Sequence, residues 1–218
     1  MAGSVDIAGT VRERAARELR DRILTGAMAP GSRIDLDAIT EEFATSRTPV
    51  REALLELSFE GLVRVAPRSG ITVIGIGADD VRDSFTLLGV LTGQAAAWAA
   101  ERSTDAELAR LRELAAAVAA RSGDDGIGEA NWKFHQAIHR AAHSPRLLTQ
   151  IKQASRVVPT NFLRLFPDHE KHSLHEHDEL LDALEARDAD AARRIAERHV
   201  LEAGISLAAW LENVAAGG

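Results

Sequence analysis

Apolar positions recur every three or four residues along most of the chain, and only one short region departs from that helical spacing. That region is 62–66 followed by 71–74, two β-branched runs separated by Pro67-Arg68-Ser69-Gly70, which predicts a hairpin. Ahead of it the pattern predicts three helices. Thr10 with Glu13 forms a capping box at the start of the first, and Gly26 follows its last turn as a stop. The second covers 36–44, after Asp35 or Asp37. The third is capped by Thr48, with Pro49 as its first helical residue. Its stripe of Val50, Leu54, Leu57 and Leu62 packs inward, and Arg51, Glu52, Glu56 and Glu60 lie on the outward side. Helix, helix, turn, helix and hairpin make a winged helix-turn-helix over residues 1–75.

After the short hinge Gly75-Ile76-Gly77 the strand signals stop, and 76–218 forms a second, all-helical domain. Helices are expected near 79–102, 104–121, 128–143, 145–166, 173–187 and 189–214. Thr104 with Glu107 and Ser173 with Glu176 have capping-box spacing, and Ser144-Pro145 is a cap followed by a first-turn proline. Pro159 is expected to kink its helix. The fold class is therefore mainly α: a winged helix with a small β-hairpin wing, joined to an α-helical bundle.

The third helix carries distinctive chemistry at its start. Four backbone N–H groups there have no internal partner and form the positive end of the helix dipole. Ser46, Arg47, Thr48 and Arg51 surround them, and Arg51 stands where a capping box would place Glu or Gln. That is an anion-seeking surface. A helix of this kind enters the DNA major groove by its first turn, where Arg can pair with guanine and Ser or Thr can hold phosphate. Arg68 and Gly70 would form the tip of the wing.

Composition sharpens this picture. The net charge of −7 at first opposes DNA binding. Residues 1–75, however, hold 10 basic and 11 acidic side chains against 16 and 22 in residues 76–218, so the acid excess belongs to the second domain. Within 61–75 there are two Arg and no acids, which leaves the wing locally positive. An acidic companion domain disfavours indiscriminate binding, so two correctly spaced heads, and hence a homodimer on a pseudo-palindromic double-stranded operator, are expected. The chain has no Cys, which excludes a disulfide framework and thiolate metal ligation. It shows no membrane-length apolar run and no signal peptide before Thr10, so a cytoplasmic location without a membrane partner is expected.

All eight histidines fall in the helical half. Asn131 and His135 are four residues apart and share a helix face. His177 and His199 each lie eleven residues from Asp188, so a helical hairpin folded there brings them level. Three imidazoles and one amide oxygen can then converge on one ion within a bundle. His139, His143, His169, His172 and His175 are expected at the surface or behind the ligands.

Pro30-Gly31-Ser32-Arg33-Ile34, the run Ser46 to Leu54 and Glu60-Gly61-Leu62-Val63 resemble the DNA-binding domain of the GntR family of bacterial transcriptional regulators. By that resemblance Arg33 joins Ser46, Arg47, Thr48, Arg51, Arg68 and Gly70 as a DNA-binding residue. The second half resembles the helical ligand-binding (FCD) domain of the FadR-type subfamily. That resemblance implies a divalent metal held by Asn131, His135, His177 and His199, and a small effector, most simply a carboxylate metabolite, at or beside it. Asn131 departs from the Asp usual in the family, which favours imidazole-loving ions such as Zn or Ni. Leu88 and Thr92 stand where many relatives carry an Arg and a Glu, which leaves Arg156 as the candidate effector-binding residue. The expected function is a regulator, most simply a repressor, with operator affinity set by the effector. The alternatives are a regulator sensing the metal itself and a metal-dependent hydrolase.

Overall fold

A computed structural model describes residues 9–66 and 70–217. It divides into two compact units, one ending at Ile76 and the other starting at Gly77.

The first unit contains α1 (Val11–Leu24), α2 (Leu36–Glu42) and α3 (Arg47–Phe59). Its antiparallel sheet contains β1 (Arg33–Ile34), β2 (Val63–Ala66) and β3 (Gly70–Val73) in the order β1-β3-β2. Thr10 Oγ1 accepts from the Glu13 amide, while the Thr10 N–H donates to the Glu13 carboxylate at 2.8 Å. At the other end of α1, Gly26 takes the left-handed conformation (φ 79°) that ends a helix without strain on a side chain. Leu19, Ile23, Leu54, Leu57, Val63 and Val73 close a common core. Each such side chain contributes about 1.5–3 kcal/mol on burial.

Three details differ from the sequence expectation. The cap of α3 is Ser46, in extended backbone and without a side-chain capping bond, so Thr48 and Pro49 are the second and third helical residues. Proline is tolerated there because no first-turn amide has an internal acceptor to lose. Glu56 and Glu60 are not free on an outer face. Arg20, only 9% exposed, donates to both Glu60 carboxylate oxygens at 2.7 Å, and Arg12 donates to Glu56 at 3.3 Å, so α1 and α3 are tied by charge as well as packing. Finally, β1 adds a strand outside the hairpin, with Arg33 opposite Thr72 and Ile34 opposite Ile71.

The second unit is helical throughout its described residues: α4 (Ala78–Arg102), α5 (Asp105–Ala119), α6 (Ile127–Ala141), α7 (Pro145–Ala154), a 3-10 turn (Ser155–Val157), α8 (Phe162–Leu165), α9 (Pro167–Glu185) and α10 (Ala189–Gly217). The two longest, α4 and α10, run antiparallel in close contact. A Cβ at Gly204 would lie 2.5 Å from Phe85 Cβ, and one at Gly89 would lie 3.4 Å from the Glu197 carbonyl oxygen. None of the described helices is long and apolar enough to cross a membrane.

The expected helix over 145–166 is broken rather than kinked. Val158, before Pro159, is extended (φ −87°, ψ 115°), since the proline ring crowds a helical residue before it, and the chain restarts only at Phe162. The next helix starts at Pro167 instead of near Ser173. Ser173 and Glu176 therefore sit inside α9, both buried, and form no capping box.

Candidate nucleic-acid interface and metal centre

The first turn of α3 presents Ser46, Arg47, Thr48 and Arg51 to solvent, as expected of a surface that meets a polyanion. Arg47 is held by Asp37 of α2 at 2.7 Å, an exposed pair that phosphate or a base edge can displace at little cost. Arg33 and Gly70 are exposed too, and Gly70 adopts φ 88° with open space around it. Arg68 lies outside the described residues. One cation was missed in the sequence. Arg64 on β2 also pairs with Thr72, so Arg33 and Arg64 flank Thr72 on one face of the sheet, both exposed. Its signal was the alternation Val63-Arg64-Val65, which puts Arg64 on the face opposite buried Val63.

In the second unit the side chains of His135 (α6), His177 (α9) and His199 (α10) converge. One ring nitrogen from each lies within 4.8 Å of the other two, and the ring centroids are 4.9–5.1 Å apart. Phe134 covers one side, its ring 4.6 Å from that of His177. Burial, reinforced by the neighbouring rings, pushes the His135 imidazole well below its ordinary pKa and that of His177 to about 3, so both are neutral at pH 7. Neutral imidazole is the metal-binding form.

Second contacts orient these rings. His199 Nδ1–H donates to Glu176 Oε2 at 2.8 Å, which fixes the orientation of the ring. Burial alone would raise the Glu176 carboxyl, but hydrogen bonds from His199 and Arg198 hold it down to about 2. His177 Nε2 lies 3.3 Å from Ser173 Oγ, while its Nδ1 is buried with no hydrogen-bond partner. Asn131 Oδ1, on α6, is likewise buried with no such partner. A buried polar atom without a partner costs about 1–3 kcal/mol, so Asn131 Oδ1, one turn before His135 on α6, and His177 Nδ1 are consistent with a cation-binding set built on the three converging imidazoles. The residues present therefore fit a divalent ion.

The rest of the expected residues lie apart or in support. His139 stacks near His135 (centroids 6.4 Å) and His169 near His199 (6.1 Å), and burial brings each to a pKa of about 4. His143 pairs with Glu107, His172 with Glu202 and His175 with Glu179, all three histidines exposed. Arg156 is half-buried on the 3-10 turn. Leu88 and Thr92 of α4 are buried, the Thr92 hydroxyl donating to the Leu88 carbonyl at 3.0 Å.

Comparison with known proteins decides the family. Residues 11–73 match the family described as bacterial regulatory proteins, gntR family, and residues 83–202 match the FCD domain. The chain belongs to the GntR family. The HTH-type transcriptional regulator McbR of Escherichia coli is 32% identical over 183 residues, covering 81% of this chain and 83% of that protein. The galactonate operon transcriptional repressor of E. coli is 28% identical over 208 residues, covering 84% and 91%. Among solved structures, E. coli McbR/YncC superposes with a TM-score of 0.71 at 25% identity over 92% of this chain and 98% of that one. A GntR regulator from Rhodococcus sp. RHA1 shows the same fold at a TM-score of 0.60 and 23% identity, over 91% and 98%. This GntR protein is accordingly a DNA-binding transcriptional regulator with an FCD domain and not an enzyme, so the hydrolase alternative is set aside.

Proposed function

We propose that this regulator is a homodimeric repressor whose operator affinity is set by an anionic small molecule, a carboxylate metabolite, bound beside a divalent ion in the helical unit. The observation that carries this reading is the convergence of the His135, His177 and His199 imidazoles, with Asn131 Oδ1 and His177 Nδ1 buried and unpartnered in the same unit. Asn131, His135, His177 and His199 would hold the ion, Zn or Ni by ligand type. Held by neutral ligands alone, such an ion keeps its double charge and offers an open position to an anionic oxygen. Glu176 and Ser173 would hold the His199 and His177 rings in place for ligation. An effector can shift DNA affinity only by binding the DNA-competent and DNA-incompetent arrangements unequally.

On the DNA side, Arg47 and Arg51 would read base edges in the major groove of each half-site. Arg33, Arg64 and Arg68 would meet the backbone, and Ser46, Thr48 and Gly70 would admit close approach. Metal analysis of protein purified from metal-replete medium, with operator titrations at fixed salt, tests both halves. His177→Ala and His199→Ala should lose metal and blunt the effector response while leaving operator binding largely intact. Arg47→Ala and Arg51→Ala should each weaken specific binding by about 1–3 kcal/mol. Full metal occupancy in both histidine variants refutes the ligand set, and unchanged operator affinity in both arginine variants refutes the recognition helix. Operator affinity that follows the metal with no organic ligand present would convert the reading to a metal sensor.

A further inference from the structure

A second group of metal-ligating side chains lies toward solvent on the α9/α10 pair, and none of His135, His177 and His199 belongs to it. His172 and Glu176 are one turn apart on α9, and Glu202 reaches them from α10, with one ligand atom from each within 4.8 Å of the other two. His172 Nε2 is 2.8 Å from Glu202 Oε2 and 3.8 Å from Glu176 Oε1. Ligand atoms around a tetrahedral ion with bonds of about 2.0–2.2 Å stand about 3.3–3.6 Å apart, between the two observed distances, so small side-chain movements close the set. A hydrogen bond between His172 and Glu202 accounts for one of these distances; an ion accounts for the convergence of all three groups. Two cationic or N–H donors already touch Glu176. Its Oε2 accepts from His199 Nδ1–H at 2.8 Å, and its Oε1 accepts from Arg198 Nε at 2.9 Å, while Arg198 also pairs with Glu179. A carboxylate has about four lone-pair sites, so these two bonds leave one on Oε1 for a metal. Glu176, Glu179 and Glu202 bring three negative charges against the single positive charge of Arg198, an excess that a divalent cation balances. The side chains of His172 and Glu202 are 52% and 35% exposed, so water can complete the coordination shell.

We propose that His172, Glu176 and Glu202 form a second site for a divalent transition ion such as zinc, distinct from the buried histidine centre and weaker than it. One imidazole and two carboxylates suit such an ion, and solvent exposure together with the nearby Arg198 keeps its affinity modest. Bound there, the ion ties α9 to α10. The two sites share Glu176 through opposite oxygens. A cation on Oε1 draws charge from the carboxylate, weakens its bond to His199 Nδ1–H and makes His199 a poorer ligand, and the two ions also repel each other. Filling the outer site therefore lowers affinity at the buried one, and by reciprocity the buried ion lowers affinity at the outer one. The outer site thus adjusts occupancy of the buried centre to the supply of free metal. This coupling rests on the ligand set proposed above; the outer site itself does not.

Zinc alone is the probe. Equilibrium dialysis and calorimetry on the full chain should find two ions per chain, the second bound about tenfold or more weaker than the first. His172→Ala and Glu202→Gln, both outside the buried ligand set, should abolish the second ion and keep the first, with wild-type helix content by circular dichroism. His177→Ala should lose the buried ion and keep the outer one, bound about threefold or more tighter than the second ion of the wild type. A second ion that persists in both His172→Ala and Glu202→Gln is held elsewhere and overturns the site. A wild type that binds one ion, lost in His177→Ala and kept in His172→Ala, overturns the outer site and leaves the buried one standing. One ion lost in His172→Ala and kept in His177→Ala supports the outer site and overturns the buried ligand set. No bound ion in the wild type overturns both. Equal outer affinity with and without the buried ion overturns the coupling alone.

Discussion

Mild acid should destabilise the helical unit of the metal-free protein selectively, because its buried histidines are held neutral. The folded pKa is about 3 for His177 and about 4 for His139 and His169, against 6.5 in an unfolded chain. With the folded value depressed, the unfolded chain takes up protons first. The stability these rings contribute is complete above pH 6.5 and is lost as pH falls from 6.5 toward 4. At pH 5.5, one unit below the unfolded value, each ring costs about 1.4 kcal/mol, so the three together cost up to about 4 kcal/mol. That is a large part of a typical total of about 5–15 kcal/mol. The Glu176 carboxyl, at about 2, acts only below its ordinary 4.5 and does not enter this window. Trp98, Trp132 and Trp210 all belong to the helical unit, and the first unit has neither Trp nor His, so tryptophan fluorescence follows the unit of interest. Urea unfolding in EDTA at pH 7.5 and 5.5 should show a drop of at least about 2 kcal/mol, allowing for local opening that lets water reach the rings. Equal stability at the two pH values, or a rise at pH 5.5, would refute the account of neutral buried imidazoles.

Other substitutions probe different links. Arg20→Ala removes the buried guanidinium that ties Glu60 and Glu56 to α1 and should destabilise the winged-helix unit by about 2–4 kcal/mol in chemical denaturation followed by circular dichroism. Gly204→Ala drives a methyl into Phe85 and should lower helical-unit stability by about 1–3 kcal/mol, measured by tryptophan-detected unfolding; a neutral result would mean that α4 and α10 can separate freely. Glu176→Gln removes the carboxylate that orients His199 and should weaken zinc binding by about 10–100-fold in competition with a chromophoric chelator, while the fold persists. Unchanged zinc affinity would make Glu176 a structural group only.

The winged helix is legible in the sequence because its signals are local: a capping box at Thr10, a stop at Gly26 and β-branched runs around a Pro-Gly turn. The meeting of His177 with His199 is legible for a similar reason, since a single fold point at Asp188 sets both at equal distance. That arithmetic also puts Glu176 level with His199, yet its spacing from Ser173 looks like a capping box. A Ser-x-x-Glu pattern caps only where a helix begins, and Pro167 begins this one six residues earlier. Strand β1 has no local signal, because two residues gain strand geometry only from their pairing with β3. Whether Pro159 bends or breaks a helix depends on packing beyond its own neighbours, and a local pattern carries no such information.

The glycines between α4 and α10 have a mechanical consequence. Contact at the level of backbone atoms packs these two helices as a single slab, and sliding one along the other would drive Phe85 and Glu197 into the backbone of the facing helix. His199 belongs to that slab, whereas His135 and His177 do not. The helical framework of the unit is interrupted from Ser155 to Phe166, where the helix stops, Val158 is extended ahead of Pro159 and the chain resumes as helix for four residues. Ligand binding at the histidines should therefore displace this interrupted segment more than the slab, an expected outcome that a distance probe attached there would check.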